Sequence, residues 1–221
     1  RLSPSTPQLD NNQFLLEPEP KGTAAVIGLA AIKLARQNPD AVMAVLTADH
    51  IIQNVSLFHQ ALSQAYQLAQ EDFLVTLGMV PSQPATGYGY IHMGESIPSA
   101  RDLPAMHVLR FVEKPNLETA VQYLESGKYL WNGGMFFWRV NKILFEFERQ
   151  MPELFRVLQD LDHRWAISGE EASFDDIWNE IKPQTIDYGI MENAENVAVI
   201  PLDDLGWNDV GSWDSLPEVI N

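Results

Sequence analysis

The sequence predicts an α/β protein with a mixed sheet flanked by helices. Unbroken apolar runs of strand length alternate with amphipathic helical segments in the first third. Aromatic-rich, strand-like runs then crowd the middle of the chain.

Residues 23–36 are rich in Ala, Leu and Ile and read as a helix that ends near Asn38-Pro39. Residues 41–46 (AVMAVL) form an uninterrupted apolar run, and residues 73–78 (FLVTLG) nearly form another. Both suit strands covered on two faces. Between them, residues 55–70 place Phe58, Leu62, Ala65, Tyr66 and Ala69 at helical steps, with Asn54 as N-cap. Helix, strand, helix, strand implies right-handed βαβ crossovers.

Residues 88–93 and 106–112 read as strands separated by a linker bearing Pro and Ser. Residues 130–140, aromatic with an internal Gly pair, make a third strand of this group and bring antiparallel pairing into the sheet. Helical spacing returns from Asn141 through Ile143, Leu144 and Phe147, and again after Pro152 through Leu154, Phe155, Leu158 and Leu161. A last strand, residues 197–200, precedes a loop at Trp207. Residues 1–16 read as a lead-in and residues 17–221 as one body.

Composition narrows the function. Fourteen Lys and Arg against thirty Asp and Glu give a net charge of −16, which disfavours nucleic acid and anionic membranes as partners. There is no Cys, so thiolate nucleophiles and thiolate metal sites are excluded. No run approaches the ~18 apolar residues of a membrane span, and a cytoplasmic location is expected.

Asp49 and Asp209 each follow an apolar, strand-like run, and such a carboxylate pair is suited to share a hard cation such as Mg²⁺ with substrate phosphates. Taken alone, Asp49 reads more simply as a helix cap. Gly87 and Gly89, set among aromatics, suit close approach of backbone to a ligand, or a turn entering a strand. Glu113-Lys114 pairs a hydroxyl acceptor with a phosphate-binding cation, or forms a solvated turn. Asn132 beside Gly133-Gly134 marks a bulge, a ligand's closeness, or both. The five His residues form no metal-ligand spacing and read as structural or solvent-facing.

In this order the segments resemble the mannose-1-phosphate guanylyltransferases (GDP-mannose pyrophosphorylases), within the sugar-phosphate nucleotidyltransferases, over residues 17–216. The resemblance implies a Rossmann-like nucleotidyltransferase sheet, here lacking its N-terminal strands. It sets Glu17-Pro18 and residues 21–25 near the guanine base, which makes Gly22 and Thr23 substrate-binding. It gives Asp49 and Asp209 as catalytic metal ligands for Mg²⁺, and Gly87, Glu113, Lys114 and Asn132 as sugar-phosphate contacts. Residues 186–192 also match a family segment, with no role assigned.

Three departures accompany it. Lys21-Gly22 stands where the family usually has Arg-Asn, and Thr47 stands where Pro is common. The Gly-rich strand-to-helix loop with its Arg, and the Pro-Lys-Gln segment after it, are not found. The implied reaction makes GDP-mannose and pyrophosphate from GTP and mannose 1-phosphate, with this chain lacking the phosphate loop. The alternatives are a non-catalytic sugar-phosphate-binding fragment and a relative using another hexose 1-phosphate or nucleotide, the latter suggested by Lys21-Gly22. An open sheet edge in such a chain predicts self-association into a homo-oligomer.

Overall fold

The structure, a computed structural model, describes residues 13–98, 102–169 and 173–210. Helix α1 (Thr23–Gln37) leads into strand β1 (Val42–Val45), then β2 (His50–Ile52), α2 (Val55–Gln70) and β3 (Leu74–Met79). Asn54 caps α2 as its sequence suggests, its side-chain oxygen accepting from the Leu57 N–H at 3.1 Å. The hairpin β4 (Tyr90–Ser96) and β5 (Met106–Val112) follows, then α3 (Leu117–Ser126) and β6 (Tyr129–Arg139). Helices α4 (Val140–Gln150), α5 (Pro152–Ser168) and α6 (Asp175–Trp178) precede a single π-turn at Asp187–Met191. Strands β7 (Val197–Leu202) and β8 (Trp207–Asp209) complete the order.

Six strands form one sheet in the order β1-β6-β3-β7-β5-β4, and β4 returns to pair with the start of β6. The long strand β6 is the spine. Its end pairs with β1 through Phe136–Arg139, while β3 runs along its opposite side.

The expected βαβ unit is present in modified form: β1 and β3 run parallel to each other in one sheet and are joined through α2, but another strand lies between them. Strands β1 and β3 are not neighbours, since both lie antiparallel to the intervening β6, and the only parallel ladder among the described residues joins β3 to β7. Apolar periodicity identified the strands correctly but cannot say which later strand takes the place between them.

Both faces of the sheet are covered. Phe136 and Trp138 of β6 pack with α1, α4 and α5, whereas Met135 and Phe137 turn to the other side and pack with α2. Every residue of β3 is buried, which explains its continuous apolar run. Ile91, Leu130 and Val199 fill the small space enclosed where the β4–β5 hairpin curls back on β6. At the opposite end, β1 is an edge strand, with Ala44 and Leu46 exposed.

Helix α3 was not legible from apolar spacing, although its punctuation is clear. The Asn116 side chain accepts from the Thr119 N–H at 2.9 Å, and Gly127 ends the helix in the left-handed region.

Candidate active site

A two-stranded ladder builds the acidic end of the site. Strands β2 and β8 pair antiparallel, setting His50 opposite Asp209 and Ile52 opposite Trp207. The Val210 N–H donates to the Asp49 carbonyl at 3.0 Å, extending the ladder by one step. These bonds bring together ligand atoms of Asp49, His50 and Asp209, all within 4.8 Å of one another. Asp49 is exposed, and the other two are partly buried.

His50 adjoins Asp49 in the sequence, but Asp209 comes from the far end of the chain, so no local spacing could reveal the group. Burial pulls the His50 imidazole below the ordinary value of 6.5, against the opposing pull of Asp209 and Asp49, so the ring is neutral near pH 7. The Trp207 indole N–H donates to His50 Nδ1 at 3.1 Å, which puts the remaining ring hydrogen on Nε2. Neither ring nitrogen then offers a lone pair to an ion. The donor set left for a cation is the two carboxylates, which suits a hard ion.

The other end is built on the bulge in β6. Between the Thr76–Phe136 and Gly78–Asn132 pairs, β3 advances two residues while β6 advances four. Gly134, with φ +62°, lies among the extra residues and takes the left-handed conformation the irregularity needs. A Cβ on Gly133 would lie 2.7 Å from Met79 Cε and 2.8 Å from the Leu77 carbonyl, so this glycine answers to packing.

The bulge pins the Asn132 amide. Its Oδ1 accepts from Thr76 Oγ1 at 3.3 Å and from the Gly134 N–H at 3.2 Å, and its Nδ2 donates to Asp187 Oδ1 at 2.8 Å. Glu113 and Lys114 follow directly on β5, with their charged atoms 3.7 Å apart. Lys114 holds φ +43°, a left-handed conformation that non-glycine residues seldom adopt without local compensation. Burial, and then Asp187, push the Glu113 carboxyl up, with Lys114 opposing. Burial also raises Asp187, against the bond from Asn132.

These two ends face one cleft of about 270 Å³, which Asp49, Asp209, Gly87, Glu113, Lys114 and Asn132 all line. Edge-to-face rings link the ends along its wall. His50 meets Trp207 at 5.2 Å, Trp207 meets Tyr88 at 5.4 Å, and Tyr88 meets Trp131 at 5.2 Å.

Gly22 and Thr23 do not line this cleft. Thr23 Oγ1 accepts from the Ile186 N–H at 2.9 Å, and the Ala24 N–H donates to the Gln184 carbonyl at 3.2 Å. The segment expected near the base is therefore bonded to the residues that lead into the π-turn. Asp187, the first residue of that turn, is the cleft carboxylate that sequence reasoning left without a role. Its only signal was membership of the 186–192 string, because a π-turn has no apolar period of its own.

A larger groove of about 990 Å³ lies between the α4–α5 junction and residues 180–193. Its cations are already engaged: Arg149 with Glu146, Arg156 with Asp160 and Glu180, and Lys182 with Glu153. It takes in Tyr188 and Gly189 of the 186–192 segment but none of the expected metal or sugar-phosphate residues, so the smaller cleft is the candidate site. Among the described residues, no helix is long and apolar enough to cross a membrane.

A mixed sheet covered by helices on both faces, with two carboxylates meeting a Glu-Lys pair across a cleft, is the design of a phosphate-handling α/β transferase. The chain belongs to the nucleotidyl transferase family, whose profile matches residues 3–221. It is 41% identical over 215 residues to a mannose-1-phosphate guanylyltransferase of Klebsiella pneumoniae, covering 95% of this chain and 44% of that protein. The chain thus spans less than half the length of the curated relatives it matches.

Among solved structures, one described as a mannose-1-phosphate geranyltransferase from Thermus thermophilus aligns with TM-score 0.84 and 31% identity, over 99% of this chain and 61% of that one. Another, described as a mannose-6-phosphate isomerase from Helicobacter pylori, aligns with TM-score 0.77 and 26% identity. It covers 94% of this chain and 79% of that one.

Proposed function

We propose that this chain carries the sugar-phosphate and metal half of a mannose-1-phosphate guanylyltransferase site, for a reaction that makes GDP-mannose and pyrophosphate from GTP and mannose 1-phosphate. The observation that carries this reading is the meeting of Asp49 and Asp209 with Glu113, Lys114 and Asn132 in one cleft. The similarity to guanylyltransferases along almost the whole chain supports the choice of substrates.

In this reaction a phosphate oxygen of mannose 1-phosphate attacks the α-phosphorus of GTP in line. A new P–O bond forms as the bond to the bridging oxygen breaks, and the electron pair leaves with pyrophosphate. Positioning and charge stabilisation are the protein's task. Asp49 and Asp209 would hold Mg²⁺, which supplies neutralisation of phosphate charge when bound. Lys114, exposed on its strained turn, offers a point charge to the sugar phosphate. Glu113, Asn132 and the backbone at Gly87 face the sugar.

Another nucleotide was suggested only by Lys21-Gly22 in place of Arg-Asn. Gly22 has φ +85°, and an added Cβ would run into the Gln184 carbonyl. In this chain, then, the glycine also answers to packing against the Gln184 backbone.

Titrating the chain with GDP-mannose in the presence of Mg²⁺ by isothermal calorimetry tests the reading. Binding is expected, and Asp209→Ala is expected to abolish it. Equal binding by both proteins, or none by the unaltered chain, overturns the proposal.

A further inference from the structure

We propose that Asp187 is the residue that accepts a hydrogen bond from a hexose hydroxyl of the sugar phosphate, and that Asn132 serves as its positioning residue. This rests on the sugar-phosphate reading of the cleft. It moves the decisive sugar contact from a residue the sequence motif picks out to one it leaves unassigned.

The hydrogen bonds of Asn132 lead to this assignment. Both lone pairs of its Oδ1 are used, by Thr76 Oγ1 and the Gly134 N–H, and one of its two amide hydrogens goes to Asp187. At most one hydrogen remains for a ligand. The pattern also fixes which way the amide points, because Oδ1 is held by two donors. The N–H that faces Asp187 therefore orients its carboxylate, and Asp187 lines the cleft.

That carboxylate lacks a charged partner among the described residues. Lys114, the cation that acts on it, is 3.7 Å from Glu113 instead. Asp187 also stands outside the Asp49, His50 and Asp209 group, the one set of three such ligands gathered among the described residues. It is therefore not a third ligand for the ion.

Two neighbouring carboxylates, Asp187 and Glu113, thus face the same space, each raised by burial and Glu113 further by Asp187. A polyol suits them, because its hydroxyls are neutral donors that satisfy carboxylate oxygens without burying another charge. The π-turn itself fits a functional role, as such turns recur at binding sites.

The test compares dissociation constants, with Mg²⁺ present, for mannose 1-phosphate and its 2-, 3-, 4- and 6-deoxy analogues, using the unaltered chain and Asp187→Asn. Loss of a hydrogen bond to a charged group weakens binding by about 10- to 100-fold. Asp187→Asn is expected to weaken mannose 1-phosphate by that factor. One deoxy analogue, weakened by the same factor with the unaltered chain, is expected to bind both proteins alike. Asp187→Ser gives the same comparison with a side chain too short to reach.

Asn132→Ala is expected to reduce the penalty of that same analogue selectively, a readout that a merely structural role would not move. Uniform weakening of all five sugars by Asp187→Asn, or a changed Mg²⁺ requirement in place of sugar selectivity, overturns the assignment. Unchanged binding by both variants does so too. Absence of binding to the unaltered chain overturns the guanylyltransferase reading itself, and this assignment with it.

Discussion

Replacing Asp209 with Asn removes one of two carboxylates that the β2–β8 ladder holds with ligand atoms within 4.8 Å. Two unit charges about 5 Å apart repel by about 1 kcal/mol in a water-like medium and by about 3 kcal/mol at an effective dielectric of 20. Asp49 is exposed, so the lower figure applies. Asn is isosteric and leaves the backbone ladder intact. The metal-free variant is therefore expected to be as stable as the unaltered chain, or more stable by up to about 1 kcal/mol.

Addition of Mg²⁺ reverses the order. At a concentration a hundred times its dissociation constant, an ion that binds only the folded state stabilises it by about 2.7 kcal/mol. For a chain of this size that raises the melting temperature by about 5–11 °C. The variant is expected to lose most of this response. Thermal unfolding followed by circular dichroism, in chelator and then in Mg²⁺, reads both arms. A variant clearly less stable in chelator would show that Asp209 is a structural residue. An undiminished rise with Mg²⁺ would show that the ion binds elsewhere.

The glycines of the cleft separate packing from ligand contact. Gly133→Ala drives a Cβ to 2.8 Å from the Leu77 carbonyl, which cannot yield as a side chain can. It is expected to lower stability in urea by about 1–3 kcal/mol. Gly87→Ala meets nothing within 4 Å, so stability should change by less than about 1 kcal/mol while GDP-mannose binding falls. Unchanged binding would remove Gly87 from the site. In acid, the Asp176 carboxyl is held down to about 2, from an ordinary 3.8, chiefly by its hydrogen bond from Arg164. Because its folded value is depressed, the pair contributes in full above pH 3.8 and its contribution is lost as pH falls toward 2. Arg164→Ala should flatten the stability profile in that window, and an unaltered acid limb would refute the linkage.

The sequence by itself determined the elements that carry a strong period or a clear cap. The apolar runs gave β1, β3 and β7, and Asn54 marked the start of α2, because burial on a fixed face imposes a pattern that neighbouring residues must share. It also determined the candidate residues, since paired carboxylates, a Glu-Lys step and an Asn beside two glycines are chemical choices visible in one dimension.

Tertiary structure decided what those residues do together. The place of β6 between β1 and β3, the three-residue strands β2 and β8, and the π-turn under Asp187 leave no periodic trace. Asp49 and Asp209 share a site only through the β2–β8 ladder. Asn132 is pinned only because Thr76 and Asp187, 56 and 55 residues away, arrive beside it. Such contacts arise from long-range pairing, which depends on the whole packed chain and not on any local stretch of it.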